Sequence, residues 1–179
     1  MKRQHFLKSI GGLGLLTMLP SLSFASIQSK LSTFKKSKII KQEEGKQLNV
    51  LGDQQTVKLT GEDTNNQYTM VEQNNAPGTK IPLHMHTKED EVFKVLEGSI
   101  RFTVGSNTYE LTEGDTIFLP REIPHCFEVI GNTNAKTVLS IFPSGLEHMF
   151  SELDKLPQGP PDLKQVSEIC GRYGISFIV

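Results

Sequence analysis

Three histidines and one glutamate have the residue types and spacing that favour metal chemistry in this chain. His84 and His86 are separated by one residue, Glu91 follows five positions later, and His125 lies farther along. Three imidazoles and a carboxylate are enough to bind a first-row transition metal and still leave coordination positions open. If these four side chains converge, the chain carries a metal site that supports chemistry as well as structure.

β-Strands must position these side chains, because a strand presents alternate residues to the same face. His84 and His86 then point to one side, and the other ligands have apolar neighbours two residues away on their own strands. Such neighbours line the dry cavity in which a small barrel holds a ligand. The residues predicted to line this pocket are Phe93, Phe127, Tyr68 and Met70. Core packing is the alternative role for Tyr68 and Met70.

Two neighbouring acidic residues, Asp90 and Glu91, compete for the carboxylate position. If Glu91 faces inward it brings Phe93 with it, whereas an inward Asp90 would bury Lys94. We therefore predict that Glu91 is the ligand, and that Glu89 and Asp90 belong to an exposed charged turn.

Short strands separated by turn residues are predicted from about residue 48 to residue 142. These strands are Val57–Leu59, Tyr68–Met70, Glu91–Leu96, Ser99–Val104, Asn107–Leu111, Thr116–Leu119, His125–Ile130 and Thr137–Phe142. Residues 61–66 are predicted as a polar turn. No helical pattern interrupts this region, which favours an all-β sandwich or barrel over a parallel α/β sheet.

The character of the chain changes after Pro143. Two segments have helical composition, Gly145–Leu153 and Asp162–Tyr173, and a proline-rich stretch separates them. Apolar residues recur at helical spacing in the second segment, which predicts a single buried face. Ile175–Val179 is predicted to be either a last strand or a packed tail.

The first 25 residues have the layout of a secretory signal. A basic start precedes the apolar run Ile10–Leu19 and a small-residue pattern at Ser23–Ala25. The apolar run is too short to span a membrane, and the start resembles a twin-arginine signal imperfectly. We expect export to the periplasm or the medium without a stable membrane anchor. The predicted divisions are a signal at 1–25, a polar arm at 26–46, a barrel at 47–142 and an extension at 143–179.

Net charge and cysteine spacing limit the kinds of partner and site that the chain can have. The chain has 19 Lys and Arg against 20 Asp and Glu, and residues 1–25 hold three of the basic residues. Their removal leaves a net charge of −4 without a basic patch, so nucleic acid is not an expected partner. Cys126 and Cys170 lack the spacing of a metal finger, and a disulfide between them stays open.

Two motifs resemble those of the cupin family. Gly78, five residues, His84-x-His86, four residues, Glu91, six residues and Gly98 follow the first cupin motif. The segment 114–120, four residues and His125 follow the second. Glu122 stands where the family usually has glycine, and Val129 where it usually has asparagine. The resemblance covers about residues 45–155. Over this range the chain is similar to single-domain cupins of quercetin 2,3-dioxygenase type.

This resemblance implies a fold and a reaction class. The fold is an all-β cupin double-stranded β-helix (jelly-roll) barrel with a short C-terminal helical extension, paired as a homodimer. His84, His86, Glu91 and His125 would bind one divalent Fe, Mn, Ni, Cu or Zn ion, with Glu91 also the catalytic base. The expected activity is dioxygenation of a small enolic or aromatic oxygenated compound. A non-catalytic cupin that binds a small ligand, or a cupin isomerase or decarboxylase, is the alternative.

Overall fold

Two antiparallel sheets form a barrel in the computed structural model, which describes residues 37–157 and 159–178. The predicted signal at 1–25 and most of the arm therefore lie outside the described residues. The strands are β1 Lys46–Val50, β2 Asp53–Leu59, β3 Thr69–Asn75, β4 Lys80–His86, β5 Asp90–Glu97, β6 Ser99–Val104, β7 Asn107–Thr112, β8 Thr116–Leu119, β9 His125–Ile130, β10 Ala135–Phe142 and β11 Ile175–Phe177. The six-stranded sheet has the order β1-β2-β3-β10-β5-β8, and the five-stranded sheet has the order β11-β4-β9-β6-β7.

Strand alternation produces the interior of the barrel. In β9, His125, Phe127 and Val129 are buried and the residues between them are only half-buried. Across the barrel the ring centroid of Phe93 lies 5.8 Å from that of Phe127 and 5.1 Å from that of Phe102. Edge-to-face packing at these distances adds to the stabilisation that comes from burying apolar area. The predicted sharing of faces on β5 and β9 is thus confirmed.

One segment predicted as a turn is a short helix. Residues Gly61–Thr64 form helix α1, and the predicted polar turn at 61–66 is wrong in that respect. Thr60 and Asp63 make a capping box, in which each side chain contacts the backbone of the other. Asn65 then ends the turn in the left-handed conformation. The caps, rather than an apolar period, hold this single turn.

The predicted C-terminal helices are present as α2 Leu146–Leu153 and α3 Leu163–Arg172. Asp162 caps α3, because its Oδ1 accepts hydrogen bonds from the backbone N–H groups of Lys164 (2.9 Å) and Gln165 (3.3 Å). Of the two alternatives predicted for residues 175–179, a last strand or a packed tail, the structure shows a strand at Ile175–Phe177. β11 pairs with β4, with Ile175 opposite His86, so the extension closes the barrel beside the predicted metal ligands.

A buried lysine holds the last part of the predicted arm. Lys58 is almost fully buried on β2, and its Nζ donates to the carbonyl oxygens of Lys41 (3.0 Å), Gln42 (2.7 Å) and Glu44 (2.7 Å). Glu72 lies 3.3 Å from the same ammonium group. Residues 41–44 therefore lie against the barrel because they supply the acceptors that a buried cation needs.

Glu147 joins the helical extension to the barrel. Its Oε1 accepts from the backbone N–H of Gly61 at 2.8 Å, and its Oε2 accepts from Thr69 Oγ1 at 2.5 Å and from the backbone N–H of Gly145 at 2.7 Å. The side chain is buried. One carboxylate thus satisfies donors from α1, from β3 and from the start of α2.

Replacing this carboxylate is expected to destabilise the whole domain. In Glu147→Ala three donors, two of them buried, lose their acceptor, which we expect to lower the free energy of unfolding by about 2 to 4 kcal/mol. Urea unfolding measures the effect. Glu62→Ala, which removes an exposed carboxylate of α1, is the matched control and should change stability by less than about 0.5 kcal/mol. Equal stabilities of the two variants would contradict the role of Glu147.

Candidate metal centre

The three predicted histidines come from two neighbouring strands. His84 and His86 lie at the end of β4, and His125 begins β9. The register of β4 against β9 shifts between Ile81 and His84, so that His84 lies opposite His125. Glu91 faces them from β5 in the other sheet. All four side chains are buried.

The ring nitrogens of the three histidines converge. One nitrogen of each lies within 4.8 Å of the others, which is a spacing at which three imidazoles could hold one metal ion. Glu91 approaches the same point: its Oε2 lies 3.3 Å from His125 Nε2, and its Oε1 lies 4.0 Å from His86 Nε2. The structure therefore brings together all four residues that the sequence predicts as ligands.

Backbone carbonyls orient two of these rings. His84 Nδ1 lies 2.8 Å from the carbonyl oxygen of Pro82, and His125 Nδ1 lies 3.0 Å from that of Ile123. Each Nδ1 then carries the proton and donates, which leaves the lone pair on Nε2 facing the centre.

Two of the buried nitrogens that face the centre have no hydrogen-bond partner. His86 Nε2 and His125 Nε2 are fully enclosed and lack a hydrogen bond among the described residues. Burying unpaired polar nitrogens is costly unless a ligand satisfies them. Imidazole and carboxylate suit Zn, Cu, Fe or Ni, and carboxylate also suits Mn. The donor set therefore fits a divalent transition metal and does not distinguish among these ions.

Glu89 corrects the sequence interpretation. It was predicted to lie in an exposed turn, yet it is 5% exposed and its Oε2 lies 3.7 Å from His86 Nδ1. That distance is too long for a hydrogen bond, and neither atom has another partner among the described residues. A carboxylate at this distance from a histidine raises the basicity of the ring through its charge. Charge spacing alone did not reveal this, because Glu89 precedes β5 and its direction depends on the bend after β4.

The choice between Asp90 and Glu91 agrees with the structure. Glu91 points into the barrel with Phe93, whereas Asp90 lies at the surface and binds Arg121. The Asp90 carboxylate accepts from the Arg121 backbone N–H at 2.8 Å and from its Nε at 3.0 Å. These bonds lower the pKa of Asp90 to about 2.

The pKa values of His84 and His86 are shifted in opposite directions. Burial, followed by repulsion from His125, lowers the pKa of His84 to about 4. Burial alone would also lower the pKa of His86, but the carboxylates of Glu91 and Glu89 outweigh it and raise that pKa. Burial would raise the pKa of Glu91, yet the three imidazoles together hold it below its ordinary value. At neutral pH the centre therefore contains a neutral His84 and an ionised Glu91.

A cavity of about 540 Å³ opens from this centre. Phe93 and Phe127 line it, as predicted, together with Leu139 and residues of the C-terminal extension. Tyr68 and Met70 do not line it. Tyr68 stacks on Phe142 with ring centroids 5.5 Å apart.

The strand register explains why the pocket prediction fails at these two positions. β3 begins at Thr69, and Thr69 and Val71 are the buried residues of this part of the strand. Met70 lies between them and is turned to the opposite face. The prediction that Tyr68 and Met70 line the pocket is therefore wrong.

Polar residues at the other end of the cavity were not found from the sequence. Asp53, Gln55 and Gln73 line it and are buried. The alternation Asp53-x-Gln55-x-Val57 carries the signal, but the predicted strand began only at Val57. β2 in fact begins at Asp53. Because the predicted strand left out residues 53–56, the inward direction of Asp53 and Gln55 was not recognised.

Residues 71–142 match the family model of the cupin domain. The fold is that of a cupin. Among solved structures, KdgF from Halomonas sp. superimposes with a TM-score of 0.56 at 15% identity, over 63% of this chain and 99% of that protein. The structural likeness shows the fold, which is the expected jelly-roll barrel with its short helical extension.

Two curated relatives share parts of the cupin sequence. An uncharacterized protein of Methanocaldococcus jannaschii is 36% identical over 66 residues, which are 37% of this chain and 53% of that protein. Quercetin 2,3-dioxygenase of Bacillus subtilis is 26% identical over 96 residues, which are 54% of this chain and 28% of that protein. The chain thus spans about half of the first relative and about a quarter of the second.

Both departures from the cupin motifs have a visible setting. Glu122 has a φ of +65°, a left-handed conformation that glycine adopts without strain. Its backbone N–H donates to the carbonyl oxygen of His86 at 2.7 Å, which fixes the loop against β4. Val129 is 1% exposed and packs in the core. Neither residue touches the three imidazoles, so both departures leave the centre intact.

Acid should weaken the metal-free protein through His84. The unfolded chain protonates this imidazole near pH 6.5 and the folded chain only near pH 4, so the unfolded state binds more protons in between. The free energy of unfolding should therefore fall as pH drops from 6.5 to 4, by about 3 kcal/mol from this residue. Urea unfolding across this range, with His84→Gln as the comparison, measures the slope. A wild-type slope no steeper than that of His84→Gln would contradict this assignment.

Glu89 should tune the affinity for metal. Glu89→Gln keeps the volume but removes the charge beside His86 Nδ1, and we expect metal binding to weaken about 10- to 100-fold. Competition against a chelating dye measures the affinity. Asp90→Asn, which changes the neighbouring carboxylate at the surface, should leave the affinity within about twofold. Unchanged affinity in Glu89→Gln would show that its carboxylate does not act on the ligand.

Proposed function

We propose that this cupin is a metal-dependent dioxygenase that acts on a small enolic or aromatic oxygenated compound. The observation that carries the proposal is the convergence of three buried imidazoles, two with unpaired Nε2 atoms, at one end of a largely apolar cavity. The partial similarity to quercetin 2,3-dioxygenase supports this reaction class.

His84, His86, His125 and Glu91 would hold one divalent ion in this proposal. When bound, the ion would acidify an enolic hydroxyl of the substrate and provide a position for oxygen. The carbonyls of Pro82 and Ile123 keep two of the imidazoles turned toward the centre.

Glu91 is the residue placed to move a proton. It is ionised at neutral pH because the surrounding imidazoles hold its pKa down. Its two carboxylate oxygens face His125 and His86, so a substrate hydroxyl held among these groups lies within reach of a base. In the proposal Glu91 takes the enolic proton and the deprotonated substrate then reacts with oxygen.

The apolar walls position the substrate and exclude water. Phe93, Phe127 and Leu139 form the middle of the cavity. Phe177 of β11 adds a wall on the side of His84, with its ring centroid 6.3 Å away. Flat aromatic substrates suit such walls, because aromatic side chains pack well against rings, and an excluded solvent prevents hydrolysis of reactive species.

We also propose that the protein is exported and pairs as a homodimer. The signal-like composition of residues 1–25 supports the first part, and the resemblance to single-domain cupins supports the second. Among the described residues, no helix is long and apolar enough to cross a membrane. Cys126 and Cys170, the two cysteines of the chain, do not form a disulfide with each other.

Metal content and oxygen uptake test the proposed activity. The purified protein should contain close to one equivalent of transition metal, and it should consume oxygen with flavonols or 1,3-diketones. His86→Ala removes one ligand and should lower metal content at least tenfold and abolish uptake. His148→Ala, which changes an exposed histidine of α2, is the control and should retain both. Metal in the wild type without uptake across the panel would instead favour a ligand-binding cupin, and absence of metal after reconstitution would refute the site.

A further inference from the structure

Gln55 carries an unpaired acceptor at the end of the cavity away from the histidines. The side chain is 4% exposed, and its Nε2 donates to Asp53 Oδ2 at 2.7 Å. Its Oε1 is enclosed and has no hydrogen-bond partner among the described residues. A buried carbonyl without a donor costs free energy in the absence of a ligand.

A network of side chains fixes the orientation of this amide. Asp53 Oδ2 also accepts from Gln73 Nε2 at 2.7 Å, and its Oδ1 accepts from Asn75 Nδ2 at 2.6 Å. Gln73 Oε1 in turn accepts from Thr137 Oγ1 at 2.7 Å. Turning the Gln55 amide over would place its oxygen against a carboxylate oxygen, so the network holds Nε2 toward Asp53 and Oε1 away from it.

The strand register places this acceptor in a different row of the sheet from Glu91. On the six-stranded sheet Gln55 pairs with Gln73, and Thr69 belongs to the row that reaches Glu91 through Ile141. Gln73 lies four residues beyond Thr69 on β3, which is roughly 13 Å along the strand direction. The row between them contains Leu139 and Phe93, paired across β10 and β5. The cavity therefore has polar groups at two ends and apolar walls between them.

We propose that Gln55 Oε1 accepts a hydrogen bond from a hydroxyl or N–H group on the distal end of the substrate. The ligand class is an elongated molecule with an apolar or aromatic middle and a donor group remote from the atoms that face the histidines. Asp53, Gln73 and Asn75 act as positioning residues, since they hold the amide. The inference rests on the proposed function only for the chemistry at the histidine end.

A pair of probes that differ in one donor tests the acceptor directly. 4-Phenylphenol has a hydroxyl donor and an aromatic body, whereas 4-methoxybiphenyl has the same body without the donor. The chain has no tryptophan, so the fluorescence of either probe can be followed on titration with the full-length protein. We expect the phenol to bind about fivefold to tenfold more tightly. The preference should persist in metal-free protein prepared with a chelator, which separates this test from the fate of the proposed metal chemistry.

Gln55→Met is the decisive variant, because it keeps the length and apolar stem of the side chain and removes the carbonyl. It should reduce the preference for the phenol to within about twofold, mainly by weakening the phenol. Gln54→Met, at the neighbouring exposed position of β2, is the matched control and should keep the full preference. A nuclear magnetic resonance measurement on the wild type adds a readout without any variant: the phenol should shift the Gln55 side-chain amide signals, and the methyl ether should not.

Three results would overturn the inference. The first is equal binding of both probes to the wild-type protein, which would indicate that water or nothing satisfies the acceptor. The second is a preference for the phenol that survives in Gln55→Met, since the donor would then be bound elsewhere. The third is the same shift of the Gln55 amide signals by both probes. Loss of oxygen uptake with a retained probe preference would refute only the proposed dioxygenase.

Discussion

The main constraint on the interior of this barrel is the cost of burying polar groups away from water. Every polar group inside needs a hydrogen-bond partner in the protein or in a ligand. Much of that demand is met by the chain. Backbone carbonyls accept from the Nδ1 atoms of His84 and His125, and Glu147 satisfies donors from three elements. Among the described residues, the buried side-chain atoms that remain unpaired belong to His86, Glu89 and His125, beside the proposed metal centre, and to Gln55. The positions of unpaired buried atoms therefore locate the site better than the number of polar residues does.

The two ends differ in chemistry, and this difference constrains what the cavity accepts. The histidine end presents lone pairs on Nε2 and a carboxylate, which favour a cation. The distal end presents the carbonyl of Gln55, held by a carboxylate that already accepts three amide donors. Burial of the Asp53 carboxyl group raises its pKa, although the hydrogen bonds from the three amides oppose the shift. An apolar middle separates the ends, so a ligand must satisfy both to gain the most from burial.

Strand parity accounts for what could be predicted and for what could not. His84-x-His86 and the companions of Glu91 point to one face whatever the surrounding fold, so these ligands follow from spacing. Glu89 lies in the bend before β5, where alternation does not apply, and its burial was missed. Tyr68 and Met70 were misplaced because Thr69 and Val71 take the buried face of β3, which turns the alternate residues away from the cavity. The amide cluster was missed because β2 begins four residues before the predicted strand.

The pairing of β11 with β4 has a consequence for how the centre is assembled. Ile175 and Phe177 lie opposite His86 and His84, which precede them in the chain by about ninety residues. Closing so long a loop is slow compared with forming a hairpin. During synthesis the histidines emerge well before the strand that covers them, so for that interval the metal-ligand end is open on one side. If the centre binds a metal ion as proposed, the ion can enter from that side until β11 is in place.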